Sequence, residues 1–597
     1  MSDYVAPLKD MSFALKLAGM DEVAALPGYE EASEDLVAAV LEEAGKFAHG
    51  VLSPINWDGD RNGAVLENGV VRTAPGWINA YHQFAEGGWN GVPFDPEYGG
   101  QGLPWAVATA VNEMWQGANM AFGLCPLLNQ GACELLSHYG SDEQKRTYLE
   151  KMVAGQWTGT MNLTEPGAGS DLSQVRTKAV KDGDVYRISG SKIFITYGDH
   201  DLTENIIHLV LARTPDAPPG VKGISLFIVP KVLVNADGSL GERNDARCVS
   251  LEHKLGIHAS PTAVMAFGDN GGAVGYLVGE ENRGIEYMFM MMNNARLNVG
   301  LQGVAISERA YQKALGYAKE RVQGKPVGFK GDKTPAIIGH ADVRRMLITM
   351  KALTEATRAL AYYAMAQFDI AGRHAEAEVR AAAADRVALL TPVVKAWSTD
   401  VGVEVASLGV QVHGGLGFIE ETGAAQYYRD ARIAPIYEGT NGIQANDLVF
   451  RKVTRDKGAV AMGCIADMRA AAATATGSGT GDLAPLGAAL VTGIDALEAA
   501  TKSLVDSDPV TVAAVAYPYL RLFGTVAGGW MMTKAAVAAQ AALAAGEGDP
   551  EFARAKLATA TFYATNILPM AGGHLAAVQA GAAPVLTMTD EQFGIDL

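Results

Sequence analysis

The hydrophobic periodicity of this chain changes twice, and that limits the folds open to it. Leu36, Val37, Val40 and Leu41, continued by Ala44 and Phe47, form a stripe with the spacing of one buried helix face. Between Trp157 and about Gly284 the apolar residues come in short runs instead: Ile206 to Leu211, Ile224 to Val229, Val264 to Phe267. Val185-Tyr186-Arg187-Ile188 follows the turn Lys181-Asp182-Gly183-Asp184, a hairpin signal. After Glu286 the helical period returns over residues 288–321, 340–373, 376–408 and 427–432. Strands confined to one central block between helical blocks predict an α+β fold. Many short strands with turns between them suggest a small β-barrel or sandwich.

At 597 residues the chain is too long for one core and divides into about three or four domains. The pattern gives an N-terminal extension (1–36), an N-terminal helical domain (37–156), a β-barrel domain (157–284), a helical-bundle domain (285–457), a linker (458–481) and an extra C-terminal helical domain (482–597). Ser12 to Ala18 reads as one amphipathic helix docked on the main body. Ser141-Asp142-Glu143-Gln144 reads as a capped helix start. The linker rests on Ala, Gly, Thr and Ser enrichment ending in Thr476-Gly477-Ser478-Gly479-Thr480-Gly481. Long stripes such as Leu347, Met350, Leu353 and Leu360 suit packing.

Lys plus Arg is 48 against 66 Asp plus Glu, a formal charge of −18. That disfavours nucleic acid and anionic membrane surfaces. The four cysteines, Cys125, Cys133, Cys248 and Cys464, include no Cys-x-x-Cys pair, so neither a disulfide framework nor a zinc site is expected. No metal-ligand motif is found. The first ten residues lack a basic segment followed by an apolar run, and no long uncharged apolar stretch stands out. The expectation is a cytoplasmic protein with no membrane association.

Three segments carry candidate chemistry. In Tyr437-Glu438-Gly439-Thr440-Asn441-Gly442-Ile443-Gln444 a carboxylate sits between an aromatic residue and a Gly-Thr turn, after Ile433, Ala434, Pro435 and Ile436. It is either a solvated turn acid or a base held away from water, where desolvation raises its pKa. In Thr158 to Asp171, β-prone residues lead into Pro166-Gly167-Ala168-Gly169. The glycines allow close backbone approach to a ligand, and Thr164 and Ser170 add hydroxyls. This is not a G-x-G-x-x-G fingerprint. In Lys192-Ile193-Phe194-Ile195-Thr196, strand alternation predicts Phe194 and Thr196 on one face. A ring beside a hydroxyl can flank a flat heterocycle.

Together and in this order, the segments resemble the acyl-CoA dehydrogenase family over roughly residues 37 to 455. The Phe13-Ala14-Leu15 region, the run Thr196 to Asn205 and the C-terminal extension resemble its long 3-methylmercaptopropionyl-CoA dehydrogenase subgroup. The resemblance implies bound FAD, removal of two hydrogens from an acyl-CoA thioester, and an acyl-CoA dehydrogenase-like helical bundle. It makes Glu438 the catalytic base that takes the α-proton while the β-hydride passes to the flavin. Cofactor binding falls to Met161, Leu163, Thr164, Gly169, Ser170, Phe194, Thr196 and Thr440. Arg321, Gln411, Gly414 and Gly415 match positions that reach a neighbouring subunit's FAD, which implies a homodimer. Ser170, Asn293, Arg296 and Gly439 match substrate positions. His413 is read as packing and His258 as a subgroup mark. Phe194 stands where many relatives carry Trp, and Asn293 where many carry Asp.

The resemblance also implies electron-transferring flavoprotein as the electron acceptor. A general short- or medium-chain acyl-CoA dehydrogenase fits the same motifs, as does an oxidase that passes electrons to oxygen. A nucleic-acid-protective relative wants a basic C-terminal region, whereas residues 482–597 hold five Lys or Arg against eleven Asp or Glu. Met288, Met290, Met291 and Met292 either line a thioether-tolerant pocket or are core.

Overall fold

The computed structural model describes residues 4–477 and 483–594. The chain divides into two compact units, one of residues 1–6 and 31–298, the other of residues 7–30 and 299–597.

The first unit opens with helices and closes with a sheet. Ser33 caps Glu34–Phe47 by accepting from Leu36 N–H. Trp77, Phe84, Trp115 and Phe122 are buried and meet largely edge to face. Helix Met120–Tyr139 is buried along almost its whole length. Ser141 and Gln144 form the reciprocal capping box that their spacing suggests. A hairpin, Val65–Glu67 with Val70–Arg72, interrupts the helices and has no counterpart in the periodicity reading.

Eight strands form the sheet: β1 (Trp157–Asn162), β2 (Lys178–Asp182), β3 (Val185–Thr196), β4 (Asn205–Ala212), β5 (Ser225–Pro230), β6 (Ala246–Leu251), β7 (Thr262–Phe267) and β8 (Ala273–Leu277). Their order is β6-β7-β3-β8-β5-β4-β1, with β2 paired to β3. Only the β1–β4 pair is parallel among the pairings of this sheet in the described residues. The path does not close. Still, Ile188, Val210, Phe227, Val229, Met265 and Phe267, from strands along most of the sheet, share one apolar cluster, so the sheet curls around it. The alternate residues Ile207, Leu209, Leu211, Leu226 and Ile228 face a second cluster with residues of helix Met120–Tyr139. This period-2 split gives each face its own core.

The second unit is helical. Ala341–Arg373 packs along Ala377–His413, and Gly300 and Gly303 of helix Gly284–Glu320 lie against Val394 and Ser398 of the latter. The N-terminal helix runs Leu8–Ala18, starting earlier than the amphipathic stripe suggested, and joins this unit. Its Asp10 pairs with Arg358 and Lys556; Arg358 also reaches Glu308 at 2.8 Å, and Lys556 reaches Glu355 at 3.1 Å. Beyond Glu438 lie helices Ala459–Gly477, Ala484–Val505, Pro509–Ala545 and Pro550–Phe562.

One expectation is corrected. Most of the expected linker is helix Ala459–Gly477, with Cys464, Ile465, Met468, Ala472 and Ala475 buried; alanine is the strongest helix former, and a packed face outweighs loop-like composition. Residues 478–481 of that stretch lie outside the described residues. Helix Pro509–Ala545 is long and apolar enough to cross a membrane, but Arg521 and Lys534 interrupt it, so it is not the long uncharged stretch whose absence was expected. Within this unit it is a core helix, 61% of its most apolar window being buried.

Candidate active site

The part on the first unit is built on β1. All six of its residues are buried, and two buried histidines of the same unit bond its threonines: Thr158 with His200 Nε2 at 2.9 Å, Thr160 with His208 Nδ1 at 2.7 Å. Burial lowers both imidazoles, His208 to about 3, so both are neutral. Met161 and Leu163 are buried, Thr164 is half-buried, and Gly169 and Ser170 are exposed. A Cβ added at Gly167 or Gly169 would meet nothing, so the loop's backbone is open to a ligand.

A buried ion pair fixes this loop. Lys192 Nζ donates to Leu163 O at 2.9 Å and to Glu165 Oε1 at 2.8 Å; Lys192 is 0% exposed and Glu165 7%. Glu165 also accepts from Arg176 N (2.7 Å), Thr177 N (3.1 Å) and Thr177 Oγ1 (2.6 Å). Burial pushes the Glu165 carboxyl up, but Lys192 and these donors outweigh it and hold it below the usual range. Burial lowers Lys192 to about 8 against the pull of Glu165. The sequence reading missed this pair. Its trace was a lysine among strand residues and an acid inside the glycine-rich turn.

Ile193 N–H donates to Thr164 O at 2.9 Å, so the end of β3 lies against the same loop. The expected simple alternation there is corrected. The β3–β7 register slips between Ala263 and Met265, Phe194 takes φ +60°, and Lys192 and Ile195 are both buried. A bulge interrupts the two-residue repeat, so a shared face for Phe194 and Thr196 does not follow from spacing. Phe194 is 58% exposed and Thr196 half-buried. A phenylalanine held left-handed with its ring outward is strained, and it presents a flat apolar face.

On helix Gly284–Glu320, Asn293 is exposed and Arg296 buried. Neighbouring Asn294 donates to buried Glu134 at 2.6 Å. Burial raises that carboxyl to about 8, opposed by Asn294. Met288 and Met291 are fully buried in the core, and Met291 packs on Gly131; Met290 and Met292 are half-buried.

The part on the second unit centres on Glu438, half-buried at φ +56°, followed by Gly439 at φ +83°. Thr440, exposed, caps helix Asn441–Asn446 by accepting from Ile443 N–H. Gln444 Nε2 donates to the carbonyls of Glu438 (3.1 Å) and Gly439 (3.3 Å), and Lys395 Nζ to that of Gly439 (2.8 Å). Tyr437 bonds Gln302; burial pushes its hydroxyl well up, helped by Glu438. Tyr317, one turn before exposed Arg321, stacks on His413 at 4.5 Å; Gln411, Gly414 and Gly415, close to His413 in the chain, are exposed. His413 is packed, its Nδ1 2.7 Å from Gly409 O.

Residues 37–156, 160–269 and 282–452 match the acyl-CoA dehydrogenase N-terminal, middle and C-terminal domains, and residues 464–589 match an acetyl-CoA dehydrogenase C-terminal-like domain. The chain belongs to the acyl-CoA dehydrogenase family; it is a flavin-dependent oxidoreductase with FAD as cofactor. Within the family it is 52% identical, over 95% of its length and 96% of the relative's, to 3-methylmercaptopropionyl-CoA dehydrogenase of Ruegeria pomeroyi. It is 37% identical over 96% of both chains to a broad-specificity linear acyl-CoA dehydrogenase of Mycobacterium tuberculosis. The Caenorhabditis elegans ACDH-11 structure shares the fold over 99% of this chain and 95% of that one, with TM-score 0.77 at 19% identity.

Proposed function

We propose that the chain oxidises 3-methylmercaptopropionyl-CoA to 3-(methylthio)acryloyl-CoA, with Glu438 as the base. The observation that carries the substrate is the 52% identity across nearly the whole length to the Ruegeria pomeroyi enzyme of that name. Support for the base is the half-buried carboxylate on a left-handed residue whose carbonyl, and its neighbour's, are tied from behind. A carboxylate held that way removes the weakly acidic α-proton without first reorganising its loop. Gly439 leaves room for the acyl chain beside it.

The strand-loop residues suit FAD: an open Gly167–Gly169 turn, the Thr164 and Ser170 hydroxyls, the outward Phe194 ring and Thr196. Met161, Leu163 and Thr440 would complete that set, while Arg321, Gln411, Gly414 and Gly415 would serve the cofactor of a second subunit in a homodimer. Arginine's planar fork matches a pyrophosphate. Bound FAD supplies an acceptor for the β-hydrogen and its electron pair. Asn293, Arg296 and Ser170 would hold substrate. Electron-transferring flavoprotein is the proposed acceptor, and the four buried, unbridged cysteines support a reducing, cytoplasmic setting.

A second reading is a general linear acyl-CoA dehydrogenase, favoured by 35% identity over 99% of both chains to a butyryl-CoA dehydrogenase of Syntrophomonas wolfei. Anaerobic mixing with a panel of acyl-CoAs, following flavin bleaching, separates the two. The thioether substrate should bleach fastest; equal or faster bleaching by butyryl-CoA would establish the second reading. Oxygen consumption in place of flavoprotein reduction would make it an oxidase. Glu438→Gln should keep FAD and bind acyl-CoA but turn over at least ~10²-fold more slowly; near-native turnover would exclude the base.

A further inference from the structure

Glu438 and Gly439 are both left-handed, so no regular secondary structure fixes them. Gln444 and Lys395 hold their carbonyls from behind, and Lys395 is held in turn by Asn441. This residue is 5% exposed. Its Oδ1 accepts from Lys395 Nζ at 2.9 Å, the ammonium that also holds Gly439 O. Its Nδ2 faces Ala396 O (3.0 Å), Thr399 Oγ1 (3.0 Å) and, at the shortest distance, Asp400 Oδ1 (2.7 Å). The second oxygen of Asp400 accepts from Tyr517 Oη at 2.6 Å and Arg521 Nη1 at 3.3 Å. Tyr517 and Arg521 stand four apart on helix Pro509–Ala545, so both side chains lie on one helix face. One carboxylate thus joins the helix beyond the family's core domains, through Asn441, to the lysine that holds Gly439 O.

We propose that Asp400 is a positioning residue through which Tyr517 and Arg521 of the C-terminal helical region set the placement of Glu438. This deepens the proposed function and rests on Glu438 being the base. The requirement for a carboxylate follows from the donors it faces. Each oxygen meets at least one N–H or O–H donor, and an asparagine there would turn its own N–H₂ toward either Asn441 Nδ2 or the Tyr517 hydroxyl. Burial first, then Asp400 itself, raises the Tyr517 hydroxyl to about 12, so it remains a donor across the working pH range. Tyr517 is 42% exposed, so removing its hydroxyl leaves the packing of the helix in place.

The test compares Tyr517→Phe, Asp400→Asn and the double variant as FAD-loaded enzymes, with Glu438→Gln alongside. Expected are a kcat lower by about threefold in Y517F and by about tenfold to a hundredfold in D400N, the range for small misplacement of a reacting group. The acid limb of the kcat–pH profile should move, because the base's surroundings have changed, while KM and flavin content stay within about twofold. The double variant should be no slower than D400N, since both changes cut one path. Unchanged kcat and pH profile in Y517F and D400N, with E438Q inactive, would overturn the positioning role and leave the base intact. A fall in kcat matched by flavin loss would also overturn it, as general loosening. Near-native E438Q would instead remove the reading on which the proposal stands. Should D400N fail to fold, Y517F decides by the same readouts.

Discussion

Replacing Lys192 by methionine removes a buried cation while nearly keeping its volume. Breaking one side of a buried pair costs about 3–5 kcal/mol, because the remaining charge is left in a poor dielectric. Glu165 keeps three other donors, at 2.7, 3.1 and 2.6 Å, which places the loss near the lower end of that range. Leu163 O loses its 2.9 Å donor as well, adding about 1 kcal/mol. The total is about 4 kcal/mol, concentrated on the strand-loop proposed to hold FAD. The pH dependence has a definite sign. In the wild type the Glu165 pKa is depressed, so its stabilisation is present above the unfolded-state value and is lost as pH falls through the folded one. In K192M burial acts without its counter-charge and the folded pKa rises, so the penalty is full at pH 7 and shrinks as pH falls. Thermal melts of both proteins from pH 7 down to pH 5, with flavin retention after gel filtration, check this. Equal melting and equal flavin retention at pH 7, or a gap that widens on acidification, would refute the reasoning.

Acid should unfold the first unit through His200 and His208. Their folded pKa values lie below the unfolded value of about 6.5, so stability is full above it and falls by about 1.4 kcal/mol per pH unit per histidine below it; a His208→Gln variant should melt with a shallower pH slope. Gly528→Ala should destabilise the helical unit by about 2 kcal/mol, since the methyl overlaps the Tyr563 hydroxyl and comes within 2.5 Å of Trp397 Cη2, both buried; calorimetry measures it. Sedimentation should show a homodimer, and Arg321→Ala should lower flavin retention without dissociating it; a monomer with full FAD would contradict the cross-subunit assignment.

The long helical stripes, the central block of short strands and the Tyr437–Gln444 and Thr158–Asp171 motifs were legible in the chain because each is local: periodicity and turn chemistry act over a few residues. So were the Ser141 cap and the Lys181–Asp184 hairpin turn. Residues 459–477 misled because Ala, Gly, Thr and Ser enrichment suits a loop as well as a helix, and only the buried Cys464–Met468 face decided between them. Phe194 misled because the bulge that turns it outward depends on how β7 pairs with β3, which no neighbouring residue records.

What the sequence determined alone was the order of elements and the identity of the candidate base, both written in contiguous residues. What only the tertiary structure decided was what holds them: Lys192 under the Glu165 turn, 27 residues away, and Asp400 and Tyr517 behind the Glu438 loop, separated from each other by 117. Those partners are chosen by burial, because a charge or amide taken out of water must find its complement wherever the chain brings one within reach, and distance along the sequence carries no information about that.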